Sequence, residues 1–164
     1  MTFRVIPSHV SEKTCEKNPR RFVVELALRK ARDVARRHPD AAVLGADTIV
    51  VCCGKIIGKP RDLVDSRRIL ELLNGRWQEV YTGIAVAWEG GKKSLAQAVK
   101  SRVLARRLNP AELSRLVGKH PDKAGAYAVQ DKDDPFIERI EGDYGNVVGL
   151  PLEATRKLLR GHIT

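Results

Sequence analysis

Four ionisable side chains stand where their types and neighbours could do chemistry: Glu12, Lys30, Asp47 and Lys59. Asp47 falls inside the apolar stretch Val43 to Cys53, where Val43, Gly45, Asp47, Ile49 and Val51 share one face and Leu44, Ala46, Thr48, Val50 and Cys52 the other. Both faces are apolar, which predicts a central strand covered on each side. A carboxylate there must be paired, hydrogen-bonded or bound to a metal. It is either a structural acid with backbone or lysine partners, or a catalytic base or metal ligand. Lys59 follows Gly58 and precedes Pro60, so a flexible approach meets a stiffened exit beside a cation that could face a phosphate. The string lacks the glycine spacing and hydroxyl of a P-loop. Lys30 sits among Ala27, Ala31 and Val34 at helical spacing, where snorkelling is the ordinary reading. Glu12 lies in a polar turn, where an exposed acid is the usual case.

Further along, Asp122 to Gln130 packs small residues around Tyr127 and ends on an amide that could read a base. Gly142 to Leu152 is a glycine-punctuated loop running into a helix whose N-terminus could face an anion. Turn chemistry and core packing are the ordinary readings of both. Cys15, Cys52 and Cys53 have no metal-like spacing, and their odd number argues against a disulfide framework.

The elements that must position these residues can be read from periodicity. Phe3 to Ser8 reads as a short strand and Pro19 to His38 as a long helix with Val23, Ala27, Ala31, Val34 and Ala35 inward. A turn at Gly54-Lys55 returns the chain briefly at Ile56-Ile57. Asp62 caps a helix to Leu73 with Leu63, Ile69, Leu70 and Leu73 as its stripe, and Gly75 stops it. Glu79 to Trp88 is a strand, Glu89 to Lys92 a hairpin turn, and the run to Leu108 a weaker strand. Asn109-Pro110-Ala111-Glu112 opens a helix. Ala126 to Gln130 and Pro135 to Ile140 read as strands, and Pro151 to Arg160 as a closing helix with Gly161 beyond. The alternation, with a later hairpin, predicts a mixed sheet in an α/β fold.

The chain has 164 residues, 43% hydrophobic and 30% charged, which suits a single domain. No apolar run is long enough to span a bilayer, and the N-terminus lacks the apolar core of a signal peptide, so a cytoplasmic location is expected. The net charge of +10 favours anionic partners. The basic pairs are scattered, and the three Phe, three Tyr and two Trp do not interleave with them, which argues against nucleic acid.

Taken together, the strings ALRKA (Ala27 to Ala31), GADTIVV (Gly45 to Val51), IIGKP (Ile56 to Pro60), YTGIAV (Tyr81 to Val86), DKAGAYAVQ (Asp122 to Gln130) and GDYGNVVGLPL (Gly142 to Leu152) resemble the Maf family of nucleoside triphosphate pyrophosphatases. They run in family order along nearly the whole chain. The resemblance implies a two-lobed mixed α/β fold with a central cleft, similar to inosine triphosphate pyrophosphatases. It implies hydrolysis of a nucleoside triphosphate to a monophosphate and pyrophosphate with a divalent cation, Mg or Mn. On that reading Asp47 is the catalytic acid that takes a proton from water, and Glu12 and Asp47 serve the metal. Lys30 and Lys59 serve the phosphates, and Thr48 and Gln130 substrate choice. Val10-Ser11 departs from the family's I-D-E segment around Glu12. The A-D-T and A-Y-A-V-Q forms resemble the dTTP and UTP branch.

The family's opening strand and S-x-S-x-R-R loop find no counterpart in Met1-Thr2-Phe3, so the chain reads as a Maf-like domain over residues 1–164 that is truncated at its N-terminus. Either the reading frame starts further upstream, or the short form is genuine and weakened. A missing strand leaves an unpaired edge, which favours association into a homodimer or low stability. The competing functions are a nucleotide- or nucleic-acid-binding protein without hydrolysis and a regulator of cell division.

Overall fold

The computed structural model describes residues 2–133 and 135–160. In chain order it contains α1 (Pro19–Arg37), β1 (Val43–Cys52), β2 (Lys55–Ile57), α2 (Leu63–Leu73), β3 (Trp77–Trp88), β4 (Lys93–Ala105), α3 (Pro110–Leu116), a 3-10 turn (Ala124–Ala126), β5 (Ile137–Glu141), α4 (Tyr144–Val148) and α5 (Leu152–Leu159). The strands form one five-stranded sheet in the order β2-β1-β3-β4-β5. The α/β class holds. The strands run antiparallel, where a sheet of mixed direction was expected. Tight connections account for this: β1–β2 and β3–β4 are hairpins, which only antiparallel neighbours allow.

The first hairpin turns on Cys53 and Gly54, both with positive φ (50° and 72°), and pairs Cys52 with Lys55 and Val50 with Ile57. Two positive-φ residues match the twist of the flanking strands, so the turn falls one residue before Gly54-Lys55.

The chain divides into two compact units: one from residues 1–47, 82–99 and 152–164, the other from 48–81 and 100–151. In the first, α1 begins at Asn18, whose side chain accepts from the Arg20 and Arg21 amides, with Pro19 in its first turn. Its alanines pack very close to the sheet: Ala27, Ala31 and Ala35 cluster with Ala85 and Ala87. A Cβ at Gly45 would meet the Ala27 carbonyl oxygen at 2.5 Å, and one at Gly83 the Val23 oxygen at 2.2 Å. Only glycine permits that approach.

Residues 2–17 carry no helix or strand, so the expected strand at Phe3 to Ser8 is not formed. Phe3 and Val5 are 75% and 85% exposed. This segment is tied instead to side chains of α1: Arg37 Nη2 donates to the Pro7 oxygen (3.0 Å), Arg29 Nη1 to the Lys13 oxygen (2.7 Å), and the His9 amide to Asp33 Oδ2 (3.1 Å).

The second unit is built on Val50, Cys52, Ile57, Ile69, Leu70, Leu73, Val80, Val103, Leu116 and Phe136. Asp62 caps α2, accepting from the Asp65 amide at 2.7 Å. Leu63 is exposed; Ser66 takes its place on the buried stripe. Asn109 and Glu112 close the capping box of α3. Ala126 to Gln130 is not a strand, because Gly125 and Ala126 have φ of 79° and 61°, incompatible with extended backbone. The loop of Gly142 to Leu152 contains the short helix α4, capped by Asp143 and ended by Gly149. The expected stop at Gly161 lies outside the described residues. Among the described residues no helix is long and apolar enough to cross a membrane.

Candidate functional site

Gly45 and Asp47 lie two apart on one face of β1, and α1 seats Ala27 and Ala31 against Gly45. Lys30, on the same helix turn, is thereby delivered to Asp47. Its Nζ lies 2.6 Å from Asp47 Oδ1 and 2.8 Å from Glu12 Oε1. The side chains of Asp47, Lys30 and Glu12 are 10%, 21% and 47% exposed. Lys30 is therefore a shared counter-ion rather than a snorkelling surface lysine. Burial by itself would lower the pKa of its ammonium, but hydrogen bonds to Asp47 and then Glu12 outweigh it and the net direction is upward. Lys30 stays charged, and two carboxylates converge on it.

The remaining predicted residues lie on three segments of the second unit. Thr48 follows Asp47 on the opposite face of β1. A Cβ at Gly149, the left-handed residue that ends α4, would lie 3.4 Å from Thr48 Oγ1, so the glycine-punctuated loop brings its backbone up to this threonine. Lys59 follows Gly58, whose carbonyl accepts from the Gly125 amide at 3.1 Å, tying the IIGKP and DKAGAYAVQ segments together. Gln130 is exposed in a turn closed by the Asp131 amide donating to the Ala128 oxygen at 3.1 Å.

Several residues of this neighbourhood were not singled out from sequence. The Asp131 carboxylate is only 6% exposed and is held by Lys119 Nζ (2.7 Å) and His120 Nε2 (2.9 Å). Gln78 is buried on β3 and accepts from the Tyr127 hydroxyl at 3.2 Å. The apolar alternation of β3 around Gln78 was the available signal: a long polar side chain on a core face demands a partner.

The cysteines do not form a reactive centre. Burial, then the hydrogen bond with Cys53, pushes the Cys52 thiol up to about 11, so it stays protonated at neutral pH. Among the described residues no group of three or more His, Cys, Asp or Glu is arranged to hold a metal. Glu12 and Asp47, the two carboxylates that meet on Lys30, are the residues that could hold a divalent cation. Magnesium commonly takes one or two carboxylates and completes its shell with substrate phosphates and water.

A family model described as Maf-like protein matches residues 1–162. A dTTP/UTP pyrophosphatase of Elusimicrobium minutum is 49% identical over 158 residues, covering 96% of this chain and 86% of that protein. The protein of the same description from Thermococcus onnurineus is 44% identical, covering 95% of this chain and 84% of its own length. That from Deinococcus radiodurans is 40% identical, with 97% and 82% covered. With the match running the length of the fold and through every segment of the site, the chain belongs to the Maf family.

Proposed function

We propose that this protein hydrolyses dTTP and UTP to the monophosphate and pyrophosphate. The observation that carries the reading is the Lys30 ammonium shared by Asp47 and Glu12, which brings a nearly buried carboxyl group next to a second acid. The relatives described as dTTP/UTP pyrophosphatases support the substrate.

Asp47 takes the proton of a water whose oxygen forms a bond to the α-phosphorus. The bond from that phosphorus to the α–β bridging oxygen breaks, and pyrophosphate leaves with the electron pair. Asp47 suits the role because Lys30 fixes its Oδ1 and supplies the counter-charge that burial requires. Lys59 offsets phosphate charge, helped by the backbone restriction of Pro60. Thr48 and Gln130 bear on the choice of base. Glu12 and Asp47 would hold Mg or Mn, which when bound offsets negative charge on the phosphates.

The test is phosphorus NMR of the products from dTTP, UTP, CTP, ATP and GTP with magnesium present. UMP and pyrophosphate from UTP, and the matching products from dTTP, are expected, with activity lost on chelation. UDP and orthophosphate would contradict the assignment.

A further inference from the structure

We propose that two anchors position Gln130 and so set discrimination between nucleobases: the Gln78–Tyr127 hydrogen bond, and the clamp of Lys119 and His120 on Asp131. The inference rests on the function proposed above. Gln130 is exposed at the third position of the turn from Ala128 to Asp131, so the placement of its amide depends on the two ends of that turn. Both ends are fixed. On one side Tyr127 is 6% exposed, its ring lies 5.3 Å from that of Phe136, and its hydroxyl donates to Gln78 Oε1. On the other side Asp131 accepts from Lys119 and His120 and, through Oδ1, from the Asp133 amide at 3.1 Å.

Gln78 has a feature that packing alone does not explain. It is 1% exposed, and its Nε2 has no hydrogen-bond partner. An apolar residue of the same length would serve the core better than an amide with an orphan donor. What the amide contributes is the acceptor that holds Tyr127.

A primary amide pairs with uracil or thymine by donating to O4 and accepting from N3–H. Turned by half a revolution, the same amide pairs with cytosine, donating to N3 and accepting from N4–H. That half-revolution is about the terminal bond of the side chain itself, so what a fixed turn sets is the place and approach of the amide, and a base that needs a different approach pairs less well. Tyr127, Gln78, Asp131, Lys119 and His120 are positioning residues on this account.

The experiment compares the full chain with Tyr127→Phe, Gln78→Met and Asp131→Asn in two measurements. The first is the ratio of kcat/KM for UTP over CTP, which should fall about tenfold in each variant, with KM for UTP moving more than kcat. The second is backbone amide exchange across residues 128–132, which should rise while exchange in the β3 core does not. An unchanged ratio with equal losses of kcat on both nucleotides would reduce these residues to a purely structural role and overturn the proposal. Should the wild-type chain hydrolyse neither nucleotide, the function itself fails, and exchange still decides the anchoring: no change across 128–132 overturns it.

Discussion

Asp47 and Lys30 form an interaction whose strength comes from its surroundings. Taking a carboxylate out of water is costly, and the ammonium that compensates it must be desolvated as well. Lys30 resolves the problem by serving two acids, one nearly buried and one half exposed. Lys30→Met should therefore cost about 1–3 kcal/mol, the lower figures reflecting the solvent around Glu12. The sign of the pH dependence follows from the raised pKa of Lys30. Its contribution is fully present below the unfolded value of about 10.4 and is lost as pH rises through the folded value. Chemical denaturation of wild type and variant should give a constant gap from neutral pH to about 9.5, closing above about 10.5. At this scale Asp47 was legible, because a charge in an apolar run demands an explanation. The Glu12 contact was not: Glu12 belongs to a segment without periodicity, and no local pattern says which distant lysine an irregular segment will meet.

Helix α1 is placed by absence of side chains as much as by their presence. Gly45 and Gly83 let its backbone lie directly on the sheet, which fixes how far Lys30 must reach. Gly45→Ala should destabilise by about 3 kcal/mol or more, since the intruding methyl meets helix backbone that has no rotamer to yield. Thermal unfolding of this variant, with its residual activity, checks both the packing and the alignment of Lys30. The start of α2 offers an acid-side counterpart. Asp65 is lowered to about 2, first by the Arg68 hydrogen bond and then by the Arg61 amide. A lowered carboxylate stabilises above its unfolded pKa and loses that contribution as pH falls through the folded one. Wild type should thus exceed Asp65→Asn in stability above about pH 4, with the gap fading towards pH 2. Long periodic elements and caps were legible here: α1, α2 with Asp62, and α3 with its Asn109 box all follow the sequence pattern. Phe3 to Ser8 and Ala126 to Gln130 were misread as strands because short apolar strings carry no record of pairing partners. At Ala126 the positive φ of a non-glycine residue left no mark in the string at all.

For the molecule as a whole, a net charge of +10 meets a substrate that carries several negative charges. Steering of this kind weakens as salt shortens the reach of the field. The kcat/KM for UTP should fall several-fold between about 0.05 and 0.5 M salt, with kcat nearly constant. A flat profile would show that the charge acts elsewhere. The family was legible from six ordered strings, whereas the bounds of the two compact units were not, since β1, β3 and β4 each contribute residues to both. The most direct test of the central claim is pyrophosphate release from UTP by wild type and Asp47→Asn under single-turnover conditions. Loss of the proton acceptor should slow the bond-breaking step by at least about a hundredfold with UTP still bound. A variant that releases pyrophosphate at the wild-type rate would contradict the account.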